Sequence, residues 1–436
     1  MHIPAEETAS VSQARALRTS LLASLITLTV VTGCTNRAPQ RGTEQIDAVL
    51  RRAVEQKKIP GVVAMVATAD GVVYQGAFGK QDVRAGVAMT PDSIFRIASM
   101  TKPVTSVAVM QLVEQGVLKL DDPAGKYLPE LAQVKVFQGF DRKRGKPILR
   151  PPATPVTIRH LLTHTSGFSY EFSNRDIGDL AAARVIPSMF EGGDGFLRAP
   201  LVFDPGSRWE YGISADWLGK LVEKVSGRSL DEYFRQNIFA PLGMPDTYFS
   251  VPASKEARLV TIHERQDNGS LLEMPHQPPP TVRFFSGGGG LYSTASDYLR
   301  FLQMLLGGGQ LGQKRILRAE TVALMGQNQI GDLVLEPLGS LMPKLLKDRA
   351  FPPASNKFGL GFMIYSTPVE GGHSAGSLAW GGVYNTLFWI DPNQKVCAVI
   401  LMQFLPCADH EATALEADFE RAVCASLPGF SRRDAR

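Results

Sequence analysis

Ser99-Met100-Thr101-Lys102 places an alcohol and an amine at positions i and i+3, where a helix is predicted to begin. The mostly apolar run Phe95-Arg96-Ile97-Ala98 leads into it. Pro103 suits a first helical turn, because its missing N–H would have no partner there anyway. Val104, Val107, Ala108 and Leu112 then recur at helical spacing, and Gly116 ends the run. Residues i and i+3 share a helix face, so Ser99 and Lys102 are expected to point into one space, at the end carrying partial positive charge. A serine hydroxyl is a poor nucleophile until a neighbour takes its proton, and a serine with a lysine beside it is a workable arrangement for nucleophilic catalysis. The tetrad alone is a weak signal, since about one S-x-x-K arises by chance in a chain this long.

A second reactive side chain is Tyr211, in the stretch Asp204-Pro205-Gly206-Ser207-Arg208-Trp209-Glu210-Tyr211-Gly212-Ile213-Ser214. The Asp-Pro-Gly turn precedes it. Ser214 reads as the N-cap of a helix carrying Leu218, Leu221, Val222 and Val225 and closed by Gly227. A tyrosine on a constrained loop at a helix mouth is well placed to aim its hydroxyl.

Two other constellations compete. Gly372-His373-Ser374-Ala375-Gly376 fits the G-x-S-x-G elbow of α/β-hydrolases, and Asp391 and His410 follow in the expected order. Its context fails: an elbow needs a buried strand before the serine and a helix after it, whereas Glu370-Gly371-Gly372 precedes and Ala379-Trp380-Gly381-Gly382 follows. His160 and His164 stand at i, i+4, but no carboxylate lies at zinc spacing, and they read as structural histidines. No phosphate loop or dinucleotide fingerprint is apparent, so neither a cofactor nor a metal is expected.

The elements that must hold these residues follow from hydrophobic pattern. Ile46, Val49, Leu50, Ala53 and Val54 form the stripe of a first helix. Residues 62–68 and 72–78 are β-rich and joined by Asp70-Gly71, a strong hairpin signal. Residues 99–282 are helix- and loop-rich. Residues 361–366, 386–390 and 396–403 read as strands, and a last helix is predicted over 410–427. Strands at both ends with helices between imply a mixed α/β (α+β) fold: one sheet built from both chain ends, flanked by terminal helices, with a helical lobe inserted. The predicted sheet lobe covers about 43–98 and 283–436, and the helical lobe about 99–282.

Ser99-x-x-Lys102 with Tyr211 downstream resembles the serine β-lactamase and penicillin-binding-protein superfamily, on its class C side. So do Ile59-Pro60-Gly61, the stretch Thr157-Ile158-Arg159-His160-Leu161-Leu162-Thr163-His164-Thr165-Ser166-Gly167, Pro241-Leu242-Gly243-Met244 and the stretch from Gly287-Gly288-Gly289-Gly290 to Tyr298. The pattern is most similar to the family VIII carboxylesterases. The resemblance implies a β-lactamase-like fold and an acyl-enzyme on Ser99. It implies that Lys102 stays close to Ser99 and Tyr211, and that its ammonium draws the Tyr211 phenol towards phenolate so that Tyr211 acts as the base. It also implies that the backbone N–H groups of Ser99 and Val383 hold the oxyanion.

The chain departs from the β-lactamases at two places. No Lys-Thr-Gly is present; Trp380-Gly381-Gly382 resembles what the esterases carry instead. Losing that lysine removes a cation suited to a β-lactam or peptide carboxylate, and tryptophan offers an apolar wall, while the adjacent glycines imply backbone approach to a ligand. Ile213 also fills a position where the lactamases carry asparagine. The resulting expectation is a serine esterase acting on small-molecule esters, with weak β-lactam turnover. The alternatives are a β-lactamase, a D,D-peptidase, an acyl transferase, or a non-catalytic wall-binding protein of the same fold. Loops over residues 133–155 and 327–357 are expected to cover the cleft and set acyl-chain length.

Composition adds the setting. The formal charge of +4 is small for 436 residues, and the basic residues are scattered, which argues against a nucleic-acid partner. Arg15 and Arg18 precede an apolar stretch at 21–31 that is too short to span a bilayer comfortably. It ends in Val31-Thr32-Gly33-Cys34, which resembles the lipobox of bacterial lipoproteins. Residues 1–33 are thus expected to be a signal peptide, Cys34 the site of lipid attachment, 34–42 a tether and 43–436 the enzyme, anchored on the periplasmic side of the cell envelope. In that oxidising compartment Cys407 and Cys424 could pair, or Cys397, Cys407 and Cys424 could remain three buried thiols.

Overall fold

The structure, a computed structural model, describes residues 43–141, 143–275, 281–351 and 356–426. The expected signal peptide, Cys34 and the tether lie outside the described residues.

Eight strands form one sheet: β1 (Gly61–Thr68), β2 (Gly71–Asp82), β3 (Val87–Ala88), β4 (Asn356–Phe358), β5 (Met363–Tyr365), β6 (Leu378–Gly382), β7 (Thr386–Asp391) and β8 (Val396–Leu401). Their spatial order is β4-β5-β6-β7-β8-β1-β2-β3. Every ladder is antiparallel, and the two ends of the chain meet where β8 pairs β1, with Val63 opposite Leu401 and Thr68 opposite Val396. All but the last residue of β1 are buried. Successive strand residues face opposite sides, so burial at every position requires cover on both faces. Helix α5 (Ala295–Leu306) packs on β8 and β1, while α1 (Glu44–Glu55) and the terminal α6 (His410–Ser426) pack on each other and α1 reaches β1 and β2.

The helical lobe contributes α2 (Thr101–Glu114), α3 (Ile158–Leu162) and α4 (Ser214–Ser226). The predicted one-sided stripe of α2 is not what forms: the helix is buried all round from Thr101 to Leu112, including Thr105, Ser106 and Gln111. A helix with no solvent face is a central one, and its polar side chains then need partners. Thr105 Oγ1 donates to the Gly287 carbonyl at 2.7 Å, and Gln111 Nε2 donates to the Asn237 and Ile316 carbonyls. Ile213, not Ser214, is the N-cap of α4; Ser214 is its first helical residue and bonds Ser166 Oγ at 2.8 Å. Gly227 does close α4, with φ +68°.

β4 and β6 lie outside the strands predicted from pattern. β4 has three residues, and β6 reads Leu-Ala-Trp-Gly-Gly, with too few β-branched residues to signal a strand. The two glycines are explained by what lies next to them. A Cβ on Gly382 would stand 2.3 Å from the Ile97 carbonyl oxygen, and one on Gly381 would stand 2.6 Å from Leu387 Cδ2. Gly382 therefore lets the strand end press against the segment that carries Ser99, Gly381 makes room for Leu387 of β7, and both line the cavity beside Ser99. Residues 136–150 form a separate two-stranded ribbon, tied to the Asp-Pro-Gly turn by two hydrogen bonds from Arg150 to Asp204, at 2.8 and 2.7 Å. The cysteines Cys397, Cys407 and Cys424 are free thiols, so the Cys407–Cys424 pairing does not form.

Gly382→Ala must push β6 away from Ile97. We expect a loss of about 1–3 kcal/mol in thermal unfolding, the usual cost of overpacking, together with a loss of turnover larger than the stability change explains. A variant with wild-type stability and activity would contradict the close approach.

Candidate active site

Ser99 sits on a 3-10 turn, Ala98–Met100, immediately before α2. Ala98 has φ +43°, a left-handed conformation costly for a residue with a Cβ. The turn is held on several sides. Thr101 Oγ1 donates to the Ala98 carbonyl and accepts from Leu291 N–H, Ile97 N–H donates to the Leu291 carbonyl, and Tyr298 donates to the Met100 carbonyl at 2.8 Å. The Gly-rich segment before Leu291 thus forms one wall of the nucleophile's setting.

Lys102 is 2% exposed. Its Nζ lies 3.1 Å from Ser99 Oγ, 3.0 Å from the Tyr170 hydroxyl and 2.7 Å from the Gly288 carbonyl oxygen. Tyr211, also buried, donates its hydroxyl to Ser99 Oγ at 2.7 Å. The three residues predicted from sequence therefore converge on one oxygen. Tyr170 and Asp216 belong to the same cluster and were missed. Asp216 Oδ1 accepts from Ser286 Oγ at 2.6 Å and from Gly288 N–H at 3.0 Å, fixing the glycine whose carbonyl holds Lys102. A Cβ on Gly288 would meet Asp216 Oδ2 at 2.4 Å, which leaves glycine as the residue that fits. No pattern marks Asp216, a lone acid in the first turn of α4, and Tyr170 lies three residues beyond the recognisable stretch ending at Gly167.

The electrostatics correct one expectation. Burial pushes the Lys102 amine down to about 7, with Asp216 opposing part of the fall. Burial also pushes the Tyr211 phenol above its ordinary value, an effect that the Ser99 hydrogen bond only partly offsets. Both changes disfavour charge in a dry site. Burial thus favours the uncharged amine of Lys102 and opposes the phenolate of Tyr211, the reverse of the direction expected from an adjacent ammonium alone. At an ordinary lysine value only roughly three parts in ten thousand would be free base at pH 7, whereas a value of about 7 leaves half in that form.

His160 and His164 each have a structural task. His160 Nδ1 accepts from Thr157 N–H while Thr157 Oγ1 accepts from His160 N–H, a capping box for α3. His164, with φ +57°, packs its ring 5.0 Å from that of Tyr211 and accepts from Gly212 N–H, and burial holds its imidazole neutral. A Cβ on Gly212 would stand 2.2 Å from the Phe168 carbonyl oxygen, so the tyrosine loop is clamped onto the segment that follows α3. The competing serine is not a nucleophile site: Ser374 N–H donates to Asp391, Ser374 Oγ accepts from Gln394, His373 contacts Glu420, and the His410 side chain is 88% exposed.

Two cavities open from Ser99. A narrow one of about 70 Å³ runs beneath Tyr211, Trp380 and Val383 towards Met363 and Phe388. A wide cleft of about 920 Å³ runs past Tyr170, Phe190, Gly289 and Tyr384. Trp380 walls the narrow cavity as expected, its ring 5.1 Å from Tyr211 and 5.5 Å from Phe358. Of the two loops expected to cover the cleft, 327–357 does so, through Leu338, Leu346, Arg349 and Phe351, whereas among the described residues none of 133–155 lines either cavity.

A serine bonded to a buried amine and a phenol, at the junction of an antiparallel sheet and a helical lobe, defines a serine enzyme of the acyl-enzyme type. The chain belongs to the Beta-lactamase family, whose pattern it matches over residues 46–422. It is 32% identical to the monacolin J acid methylbutanoyltransferase of Aspergillus terreus, over 87% of this chain and 95% of that one. It is 31% identical to the lovastatin esterase of Penicillium rubens, over 85% and 95% of the two chains. Among solved structures, a mutant simvastatin synthase of Aspergillus terreus superposes with a TM-score of 0.74 at 32% identity, covering 88% of this chain and 96% of the other. The fold and the superfamily resemblance are those expected from sequence. The family comprises serine hydrolases and acyltransferases.

The rate at which a fluorophosphonate labels Ser99 is expected to rise with pH through about 7, because the uncharged amine exists above that value and is lost as pH falls. Asp216→Asn removes the charge that favours the ammonium, so the midpoint should move to lower pH. A flat profile between pH 5.5 and 8.5 would exclude Lys102 as the group that activates Ser99.

Proposed function

We propose that the protein transfers short acyl groups from uncharged carboxylic esters through an acyl-enzyme on Ser99, with water as the acceptor. The observation that carries this reading is the convergence of Lys102 Nζ and the Tyr211 hydroxyl on Ser99 Oγ, at 3.1 and 2.7 Å, beside an apolar cavity. Uncharged Lys102 takes the Ser99 proton as Oγ bonds the ester carbonyl carbon. The backbone N–H groups of Ser99 and Val383 hold the oxyanion. The neutral Tyr211 phenol protonates the departing alkoxide and is restored by the proton on Lys102. Water then attacks the acyl-enzyme by the same path reversed, releasing the acid and Ser99. Trp380, Gly381 and Gly382 shape the acyl side of the site, where no Lys-Thr-Gly supplies the lysine that a β-lactamase would offer a β-lactam carboxylate.

A second reading is transfer to an alcohol acceptor. The wide cleft on the far side of Ser99 favours it, since water needs no such space. One relative is named for acyl transfer and one for ester hydrolysis. The cellular setting is likewise a proposal: export, with lipid on Cys34 anchoring the enzyme at the cell envelope, supported by the Val31-Thr32-Gly33-Cys34 stretch.

Ser99→Ala should abolish hydrolysis of p-nitrophenyl butyrate, Tyr211→Phe should lower kcat by about a hundredfold or more, and Ser374→Ala should retain most activity. Cephalosporin turnover should be slow. Adding a primary alcohol divides the two readings: a constant total rate with new ester among the products marks transfer, and free acid alone marks hydrolysis. Full activity in Ser99→Ala would refute the acyl-enzyme. Incorporation of labelled palmitate into the full chain, lost in Cys34→Ala, tests the anchor; an unlabelled wild-type chain would rule it out.

A further inference from the structure

The narrow cavity beside Ser99 is not lined by hydrocarbon alone. Arg349 and Glu416 line it along with Leu338, Leu346, Met363 and Phe388. Both charged side chains are half-buried. They feel each other's charge: Glu416 favours the Arg349 cation, and Arg349 favours the Glu416 carboxylate against the burial that opposes it. Yet they form no ion pair within 4.0 Å, and among the described residues neither the guanidinium nor the carboxylate has a hydrogen-bond partner. Arg349 does have backbone bonds to Leu338, so the side chain is carried on a fixed stretch of the covering loop. Glu416 is carried on α6, a seventeen-residue helix.

An unspent guanidinium has five donors, and a carboxylate has only acceptors. Both side chains line the cavity with hydrogen-bonding capacity to spare, the guanidinium lying 6.0 Å from the centroid of the Phe351 ring, and one small group that accepts from the first and donates to the second can use both at once. That group must accept from Arg349 and donate to Glu416. A hydroxyl does both. A carboxylate satisfies Arg349 but meets Glu416 as a like charge, and a methyl satisfies neither. The cavity of about 70 Å³ is also small. It is about half the roughly 150 Å³ that holds a benzene ring, which leaves room for a chain of only a few non-hydrogen atoms.

We propose that the acyl group this enzyme takes is a short chain bearing a hydroxyl, with Arg349 donating to the hydroxyl oxygen and Glu416 accepting its proton. This rests on the acyl-enzyme reading above and narrows its substrate class. The chemistry is unchanged: the Ser99 Oγ–acyl bond forms as the ester C–O bond breaks, the alkoxide leaves with the proton from Tyr211, and water or an alcohol later takes the hydroxyacyl group. Arg349 and Glu416 bind the acyl chain and take no part in the bond changes.

The test compares kcat/KM of the full chain on ethyl butyrate, ethyl 3-hydroxybutyrate and monoethyl succinate, with n-butanol present so that transfer and hydrolysis are both counted. The hydroxybutyrate-to-butyrate ratio should be about tenfold or more, the worth of a hydrogen bond to a charged group, and the succinate half-ester should be the poorest of the three. Arg349→Met should bring that ratio to one or below, and Glu416→Gln should lower it at least threefold. The second variant keeps the test open if the first fails to fold. A wild-type ratio of one or less overturns the proposal. So does a preference for monoethyl succinate, which would make Arg349 a carboxylate receptor. A ratio unchanged in a folded variant, with all rates falling together, would reduce the pair to a structural role and also overturn it. Absence of turnover on all three esters, with Ser99 unlabelled by fluorophosphonate, would instead bring down the acyl-enzyme reading itself.

Discussion

An amine taken out of water and surrounded only by neutral partners is the constraint on which the rest of this molecule depends. Lys102 lies on a helix buried on every side, and its Nζ has only neutral neighbours within hydrogen-bonding distance: a carbonyl and two hydroxyls. Asp216, the nearest carboxylate acting on it, is engaged by Ser286 and Gly288 rather than by the lysine. Were Asp216 to pair directly with Nζ, the ammonium would be stabilised and the amine lost as a base. Placing the acid one residue away, through the Gly288 backbone, fixes the lysine's position without holding its proton.

The same dryness decides how labour divides between amine and phenol. Both groups are driven towards their neutral forms, but neutrality means opposite things for them: a lysine without charge is a base, and a tyrosine without charge is an acid. The pair can therefore take one proton and give another during a single bond exchange. A cation where Trp380 stands would favour phenolate and reverse the assignment. The indole instead sets an apolar wall beside the phenol, its ring 5.1 Å from that of Tyr211.

Much of this could be read from residue order, and the limits of that reading have physical causes. The spacing of Ser99 and Lys102 and the hairpin at Asp70-Gly71 are local, so periodicity and turn chemistry reach them. Tyr211 is bracketed by a turn and a helix start, and its role is implied by the family resemblance. Tyr170 and Asp216 have no such brackets; they join the cluster only through contacts across about 70 positions of chain, which no local pattern encodes. The balance between the Lys102 charge and the burial of Tyr211 is out of reach of sequence for a related reason. Proximity of an ammonium can be guessed from motif spacing, but the burial that outweighs it depends on the whole of the surrounding lobe. The glycines of Trp380-Gly381-Gly382 were similarly read as space for a ligand, when part of their purpose is to let β6 touch Ile97.

The two cavities that meet at Ser99 differ in a way that bears on which partner enters from which side. An acyl group must be held while the leaving alcohol departs and a new acceptor arrives, so the acyl side profits from a closed, shape-limited wall. The alcohol side must exchange its occupant within each turnover and profits from width. The narrow cavity beneath Trp380, closed by the loop carrying Leu338 and Phe351, meets the first requirement, and the wide cleft past Gly289 and Tyr384 meets the second. Discrimination among acyl groups then falls to the few side chains at the end of the closed cavity, where a single unmatched polar group costs more than a change of one methylene. Discrimination among alcohols is left to a surface that exchanges its contents.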